Sequence, residues 1–426
     1  MKKVLIITYY WPPAGGPGVQ RWLKFVKYLP EFGIEPIVYC PENPNYPIMD
    51  TSMVSEVSST LEVIQAPINE PYKLAQLLSR SKTSDLSKGI ITGQKKQTIT
   101  EKLLLFVRGN FFIPDARVSW VKPSVSFLSD YIKTHKIDTI ITTGPPHSLH
   151  LIGLKLKQLY SLQWIADFRD PWTQIGYHKK LKLTALSKRK HDQLESSVLR
   201  DSDEIIVTSS QTKVLFSKRT TTQITVITNG YDFKINHSCT LDSMFTLSHV
   251  GSLYEGRNPQ VLWKVLSDLV QTSKEFSKVF RLNLIGYVSQ DVLQSIKSYG
   301  LEAHTNCSGY VSHSEALTYQ NKTQLLLLIE EDSIETQYII PGKLFEYMAS
   351  KRPIISIGPD VSDIEDILSK SCAGTYFRYK DAELLRLGIS NHFEAYKMND
   401  LNVDSKGLGY YSRKSLTLEL SKILIN

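Results

Sequence analysis

The sequence predicts an α/β protein made of two doubly wound, parallel-sheet domains in series. Three observations carry that expectation. At 426 residues the chain exceeds what a single hydrophobic core usually serves. Short apolar strand segments alternate with segments of helical period along nearly the whole length, which is the pattern of strand–helix–strand crossovers. Loops rich in glycine and proline follow the apolar runs, where a doubly wound sheet turns into its helices. No low-complexity tract or short-period repeat interrupts this order.

The elements follow in turn. VLIITYY is the first strand and WPPAGGPG its turn, after which Val19, Trp22, Leu23, Val26 and Leu29 recur at helical spacing. Pro30 and Gly33 stop that helix, and IEPIVYC is the second strand. DTIITT, the loop GPPHS, the helix LHLIGLKLKQLY and the strand QWIADF form the next unit, with EIIVTS from Glu204 as a further strand. TTTQITVITNGYD reads as the crossing between domains. In the second domain FTLSHVGSL is a strand, Val261, Leu262 and Val265 lie on the helix after it, and RLNLIGYV, TNCSGYV and LLLLIE follow. A helix around Glu346, the strand PIISIG and the helix DIEDILSK complete it, and YYSRKSLTLELSKILIN is a terminal amphipathic helix. An irregular stretch from Tyr72 to Pro123 fits neither pattern. Its first part carries Arg80, Lys82, Lys88, Lys95 and Lys96 among Ser, Thr and Gly and reads as a loop. Its second part, KLLLFVRGNFF, reads either as a buried helix or as a surface that meets a membrane or an acceptor, since basic and aromatic residues together suit an anionic interface.

Composition narrows the function classes. Fifty lysines and arginines against 42 acidic residues leave a net charge of +8, which favours anionic partners such as nucleotide phosphates or lipid head groups. The excess is spread out, with no basic stripe interleaved with aromatics, so nucleic acid is not expected. Cys40, Cys239, Cys307 and Cys372 lie far apart and match no metal spacing. Cys40 and Cys307 fall in or beside apolar strands, where buried free thiols are common. A reducing cytosol fits them. The few apolar residues after Met1-Lys2-Lys3 are too short a run for a signal sequence, and no stretch approaches a membrane span. The expected location is cytoplasmic, or peripheral on the inner face of a membrane.

The most informative segment is IIPGKLFEYMASKRPIIS, Ile339 to Ser356. Pro341 can open a helix and Gly342 lets a ligand approach the backbone. Lys343 and Glu346, three residues apart, share a helical face, while Leu344, Phe345 and Met348 point to a core. A cation at a helix start suits a phosphate, and a carboxylate one turn on can accept from two adjacent hydroxyls, as on a ribose. The alternative is an amphipathic helix with solvated charges. In VGSLYEGRNPQ, Gly251 permits close approach, and Arg257 precedes a helix with Asn258 as its expected N-cap. The planar fork of an arginine suits a diphosphate. In the first domain, Gly15, Gly16 and Gly18 open a helix after the first strand; the pattern is neither GxGxxG nor a P-loop, and a tight packing turn is the competing reading. TGPPHSLH and ADFRDPW place His147, His150, Asp167, Arg169 and Asp170 at further strand ends. FIPDARVSW adds Asp115, Arg117 and Trp120. For each, a buried histidine or a plain ion pair is the bland alternative.

Together these residues resemble family 4 of the retaining GT-B glycosyltransferases, over nearly the whole chain. The closest likeness is to bacterial members that build surface polysaccharides. The matching pieces, in order, are YYWPPAGGPGVQR, FIPDARVSW, TGPPHSLHLIG, ADFRDPW, NGYD, VGSLYEGRNP and PGKLFEYMASKRPI. The resemblance implies two facing Rossmann-like doubly wound domains with a cleft between them. Residues 1–225 would form the acceptor-side domain and 226–404 the nucleotide-sugar-binding domain, with 405–426 a C-terminal helix returning to the first. It implies transfer of a sugar from a nucleotide-sugar donor to a glycan or lipid-linked acceptor, without metal or other cofactor. Glu346 matches the glutamate that binds ribose hydroxyls, and Arg257 the basic residue, usually lysine, on the donor diphosphate. Lys343 and Gly342 lie beside that diphosphate, Gly251 and Ser252 belong to the same donor-binding set, and Gly16 matches the first-domain glycine that approaches donor or acceptor. Arg257, Lys343 and Asp170 are the implied catalytic residues; His147, Arg169, Asp115 and Arg117 are the acceptor-side candidates. The chain departs from the pattern at Ser252, where an arginine is more common, and at Tyr338, where a second glutamate usually stands. A nucleotide-sugar epimerase of similar shape and a non-catalytic sugar-nucleotide-binding subunit are the rival readings.

Overall fold

Val4, Leu5, Ile6 and Ile7 are all fully buried, so the first strand, β1 (Lys2–Ile7), is covered on both faces, as an interior strand of a parallel sheet must be. The computed structural model describes residues 1–70, 99–179, 181–232 and 239–425. The expected basic loop with Arg80, Lys82, Lys88, Lys95 and Lys96 lies outside the described residues. The chain divides into two units, one of Met1–Asn229 with Arg413–Asn426, the other of Gly230–Ser412.

In the first unit, β1 pairs in parallel with β2 (Ile34–Pro41) and, on its other side, with β4 (Thr139–Gly144). The other strands are β3 (Glu62–Ala66), β5 (Gln163–Phe168), β6 (Glu204–Val207) and β7 (Gln223–Val226). Among the described residues they form one seven-stranded sheet in the order β3-β2-β1-β4-β5-β6-β7. The second unit holds β8 (Phe245–Val250), β9 (Phe280–Ile285), β10 (Thr305–Gly309), β11 (Leu325–Ile329), β12 (Ile354–Gly358) and β13 (Gly374–Arg378). Their order is β10-β9-β8-β11-β12-β13, again parallel. Each sheet reverses its winding beside its first strand, at β1/β4 and at β8/β11. In doubly wound sheets that reversal opens a crevice at the carboxyl ends of the strands.

Three strands are invisible to the apolar-run reading: β3, β7 and β13. QITV is not part of an interdomain crossing but the edge strand β7, and the units divide at Asn229/Gly230. Edge strands are covered on fewer sides, so their sequences need no continuous apolar run, and β3 exposes Glu62 and Gln65 accordingly. The same cause corrects the reading of Cys307. It lies on β10, an edge strand, and is exposed, while Cys40 on β2 is buried. The segment KLLLFVRGNFF falls in a helix, Ile99–Phe111, that is amphipathic rather than buried. Leu105 is 2% exposed, whereas Leu103, Phe106 and Phe111 are exposed to 60%, 37% and 73%. The terminal helix Arg413–Ile425 inserts Leu416, Leu420 and Leu424 into the cluster that holds Trp22, Phe25 and Val26 of the helix Pro17–Tyr28.

One buried ion pair ties the first unit together. Arg21 and Asp167 are both 0% exposed, with Nη2 to Oδ1 at 2.9 Å. Trp22 Nε1 and Thr143 Oγ1 also donate to Asp167, each at 2.8 Å, and Arg21 Nη1 donates to the Thr228 carbonyl at 2.9 Å. These bonds hold the Asp167 carboxyl below the usual carboxylate range despite its burial. Asp167→Ala is expected to cost roughly 3–5 kcal/mol because it strands Arg21 without a counter-charge. The pair Arg21→Met with Asp167→Leu should cost less than the two single changes added. Urea unfolding followed by tryptophan fluorescence checks both, and a wild-type midpoint for Asp167→Ala would remove the pair from the account.

Candidate functional site

The carboxyl edge of the second sheet gathers most of the expected donor-side residues. β8 ends at Val250, and Gly251 follows with φ of +124°, a left-handed value that favours glycine. Its N–H donates to the Ile285 carbonyl at 2.7 Å. A Cβ on Gly251 would stand 2.8 Å from Lys343 Nζ, so the glycine makes room for the ammonium. Lys343 opens the helix Lys343–Ala349. Tyr347 OH pins that helix to β8 by accepting from the Val250 N–H at 2.8 Å and donating to the Val250 carbonyl at 3.2 Å. Leu344, Phe345 and Met348 are buried behind it.

Arg257 lies in the 3-10 turn Glu255–Arg257 and reaches Glu330 Oε2 through Nη2 at 3.0 Å. Glu330 directly follows β11 and is 1% exposed; its Oε1 is buried and has no hydrogen-bond partner among the described residues. His249 on β8 is fully buried. Its Nδ1 donates to the Leu327 carbonyl at 3.0 Å, which leaves Nε2 as an acceptor facing Lys343 Nζ at 3.5 Å. Lys343 as a residue keeps part of its surface exposed, but its ammonium is enclosed by these groups. Desolvation first, and then the Arg257 charge, push its pKa down to about 8, against the pull of Glu330 and Glu346. Glu346 is engaged by the helix His313–Lys322: His313 Nε2 lies 3.3 Å from Oε1, and Gln320 Nε2 donates to Oε2 at 3.2 Å. Arg257, Lys343 and Glu346 therefore form one electrostatic cluster. Two cations and a carboxylate so placed can hold a diphosphate and a hydroxyl-bearing ring together.

Two local expectations are corrected. Asn258 is not the N-cap of the next helix, Gln260–Thr272, which starts after Pro259. Its Oδ1 instead accepts from Trp263 Nε1 at 2.7 Å and its Nδ2 donates to Ser295 Oγ at 2.9 Å. The helix after Gly342 has seven residues, so its dipole is small and the positive field belongs to Lys343 and Arg257. Gly342 has an ordinary φ of −57° and no atom within 4 Å of an added Cβ. Its conformation does not require glycine. Ser252, next to Gly251, is partly buried, and Tyr338 closes the 3-10 turn Thr336–Tyr338.

The carboxyl edge of the first sheet holds the acceptor-side candidates. Gly16, with φ of +95°, precedes the helix Pro17–Tyr28 and faces open space. Arg169 packs against Gly18, lies 5.7 Å over the Tyr10 ring and donates to the Pro145 carbonyl. Its Nε is buried without a partner among the described residues. His147 stacks on Trp172 at 5.1 Å, and neither of its ring nitrogens has a partner among the described residues. Burial drives its pKa well below the ordinary histidine value, and His150 beside it is pushed down to about 3 for the same reason. Both imidazoles are neutral. Burial raises the Asp170 carboxyl above the usual range, against the pull of Arg169. Asp115 and Arg117 are committed within the fold. Asp115 accepts from the Ser148 N–H and Oγ and from the Arg117 N–H, each at 2.9 Å. Arg117 pairs with Glu70 at 3.0 Å and donates to Tyr9 OH at 3.1 Å.

His249, Glu330, Gln320 and His313 were not singled out by the sequence. For Glu330 a signal exists: an acidic residue directly after the wholly apolar strand LLLLI must find a partner. A groove of about 880 Å³ lies at the opposite, amino-terminal edge of the first sheet, by Lys2, Thr139, Gln163, Lys157 and Asp203. Its groups pair with one another, Lys2 with Gln163 at 3.1 Å and Lys157 with Asp203 at 2.8 Å, so it offers no converging set. Among the described residues no three His, Cys, Asp or Glu side chains lie where they could share a metal ion, and no helix is long and apolar enough to cross a membrane.

No protein-family model and no curated protein sequence matches the chain. Solved structures match it along its whole length. A glycosyltransferase from Rickettsia africae superposes with a TM-score of 0.64 at 12% identity, over 100% of this chain and 99% of that one. This chain has the GT-B fold. Sucrose-phosphate synthase from Thermosynechococcus elongatus gives 0.61 at 14%, over 100% and 98%. Anabaena HepE, solved in complex with UDP-glucose, gives 0.61 at 13%, over 100% of both chains.

The enclosed ammonium makes a stability prediction. Holding a proton on Lys343 is costly in the folded state below pH of about 8, and the cost fades toward the ordinary lysine value of 10.5, where the unfolded chain loses its proton too. Lys343→Met is expected to stabilise the protein at pH 7 by at most about 3 kcal/mol. The gain should shrink as pH rises from 8 to 10 in parallel urea titrations; a gain independent of pH would show that the ammonium carries no such cost.

Proposed function

We propose that the protein is a glycosyltransferase of the retaining GT-B family 4 type, moving a sugar from a nucleotide-sugar donor to a glycan or lipid-linked acceptor. The observation that carries this reading is the cluster of Arg257, Lys343 and Glu346 at the carboxyl edge of the second sheet. Breaking the bond between the anomeric carbon and a nucleoside diphosphate develops negative charge on the leaving phosphate. Fixed cations in a partly dehydrated setting stabilise that charge without reorganising. Arg257 and Lys343 take this role, which makes a metal ion unnecessary, and Glu346 accepts hydrogen bonds from the ribose hydroxyls in place of His313 and Gln320. Arg169 and Asp170 position an acceptor hydroxyl beside the neutral His147. Retention by a front-face route, which the resemblance implies, has the leaving phosphate itself help deprotonate the acceptor and gives Glu330 and Glu346 no covalent role.

The fold neighbours support this reading without deciding it. HepE is seen with UDP-glucose, a Staphylococcus aureus TarM structure with UDP, and WaaG is a glycosyltransferase involved in lipopolysaccharide biosynthesis. Bacterial surface-polysaccharide synthesis at the cytoplasmic face of a membrane is the setting we assign. The exposed Leu103, Phe106 and Phe111, with Lys102 and Arg108 on the same helix, suit a lipid-linked acceptor in an anionic bilayer. A putative UDP-N-acetylglucosamine 2-epimerase from Listeria monocytogenes superposes at a TM-score of 0.54, and that observation keeps the epimerase reading in view.

A panel of UDP-, GDP- and dTDP-sugars is expected to contain one that raises the melting temperature. With that donor, product should form only when an acceptor is present. Conversion of the donor alone would favour the epimerase, and binding without transfer to any acceptor would favour a non-catalytic subunit. Arg257→Ala should lose about 100-fold or more in turnover while keeping its fold by circular dichroism; full activity would end the assignment. Donor affinity should hold below pH of about 8 and weaken above it, as Lys343 loses its charge. Calorimetric titration between pH 6.5 and 9.5 reads that limb.

A further inference from the structure

Three side chains around the proposed donor site meet buried partners from neighbouring elements: Arg257 meets Glu330, Glu346 meets Gln320, and Lys343 meets His249. The third pairing differs in kind. Arg257 can give one edge of its guanidinium to Glu330 and keep donors for a ligand, because its donors are fixed in a plane. An ammonium is a point charge on a flexible stem, and nothing in its own geometry aims it. A carboxylate in contact with it would orient it but also cancel the charge a phosphate must feel. A neutral acceptor orients without cancelling.

His249 has the properties such an acceptor needs. It is fully buried on β8; Nδ1 lies 3.0 Å from the Leu327 carbonyl, to which it can only donate, and the Ser252 backbone also acts on the ring. Nε2 is then a lone pair, and it faces Lys343 Nζ at 3.5 Å. Burial together with the charges of Lys343 and Arg257 keeps the ring from taking a second proton, so it stays an acceptor across the working pH range. The other charged groups acting on Lys343 are Arg257, Glu330 and Glu346. The Lys343 ammonium itself lies against the space that Gly251 leaves open.

We propose that His249 is the positioning residue for Lys343, aiming its ammonium at the Gly251 turn where the leaving phosphate of the donor is held. This rests on the reading of the second unit as the donor site, but its test does not need a donor. Protein labelled with 15N-lysine is titrated by NMR, with the Lys343 Nζ signal assigned through its loss in Lys343→Met, and affinity for inorganic pyrophosphate is measured alongside. His249→Phe and His249→Leu remove the acceptor; His249→Gln places an amide oxygen near the Nε2 position. The expected result is that the first two lower the Lys343 pKa by about one unit and weaken pyrophosphate about tenfold. His249→Gln should stay close to wild type in both. If either non-accepting variant folds and leaves the Lys343 titration unmoved, or if Gln shifts it as far as Leu does, the histidine is a packing residue and the proposal is overturned. A sugar panel in which nothing binds would sink the transferase reading while leaving the Lys343 titration to decide this one.

Discussion

Parallel strands have a common direction, and the site follows from that constraint. In a doubly wound sheet every strand delivers the next loop to one edge, and the winding reverses beside the first strand. In the second unit this brings the residues after β8 and β11 side by side. Gly251, Arg257 and Glu330 come from those two places, and Lys343 enters at the start of the helix between β11 and β12. The sheet brings the segment of Gly251 and Arg257 to that of Glu330 and Lys343, more than 70 residues further along the chain. In the first unit the same rule brings His147 after β4 to Arg169 after β5, beside the glycine loop after β1.

Hydrogen-bond satisfaction separates the polar residues into two groups. Asp167, Asp115 and Arg117 are surrounded by partners at ordinary distances. Their charge is used up inside the fold, and they hold elements in place. Lys343, Glu330, His147 and Arg169 are enclosed but under-satisfied. Burial without full pairing costs stability, and such costs persist where a ligand is meant to complete the set. By that measure the under-satisfied groups gather at the carboxyl edges of the two sheets, where the proposed donor and acceptor contacts fall.

The short helix Lys343–Ala349 shows how local pattern and tertiary packing divide the work. PGKLFEYMAS displays its buried face and its polar face in the order of its residues, so the Lys343/Glu346 pairing could be read directly. The identity of their partners could not, because His249 and Gln320 lie 94 and 26 residues away from Lys343 and Glu346 respectively. Asn258 misled for a related reason. A polar residue before a helix is a good cap in isolation, but Trp263 and Ser295 compete for its amide and win.

The order of residues by itself determined the alternation of apolar strands and amphipathic helices, and with it the parallel sheets, because burial on both faces requires continuous apolar runs. It also marked Gly251, Arg257, Lys343 and Glu346, whose types and spacing announce their chemistry. Tertiary structure decided what the charges mean. It alone set Glu330 against Arg257, enclosed the Lys343 ammonium and consumed Asp115 in capping a helix. It also left Cys307 and the face of Leu103, Phe106 and Phe111 exposed. Desolvation and pairing depend on which groups arrive from distant strands, and no local pattern encodes that distance.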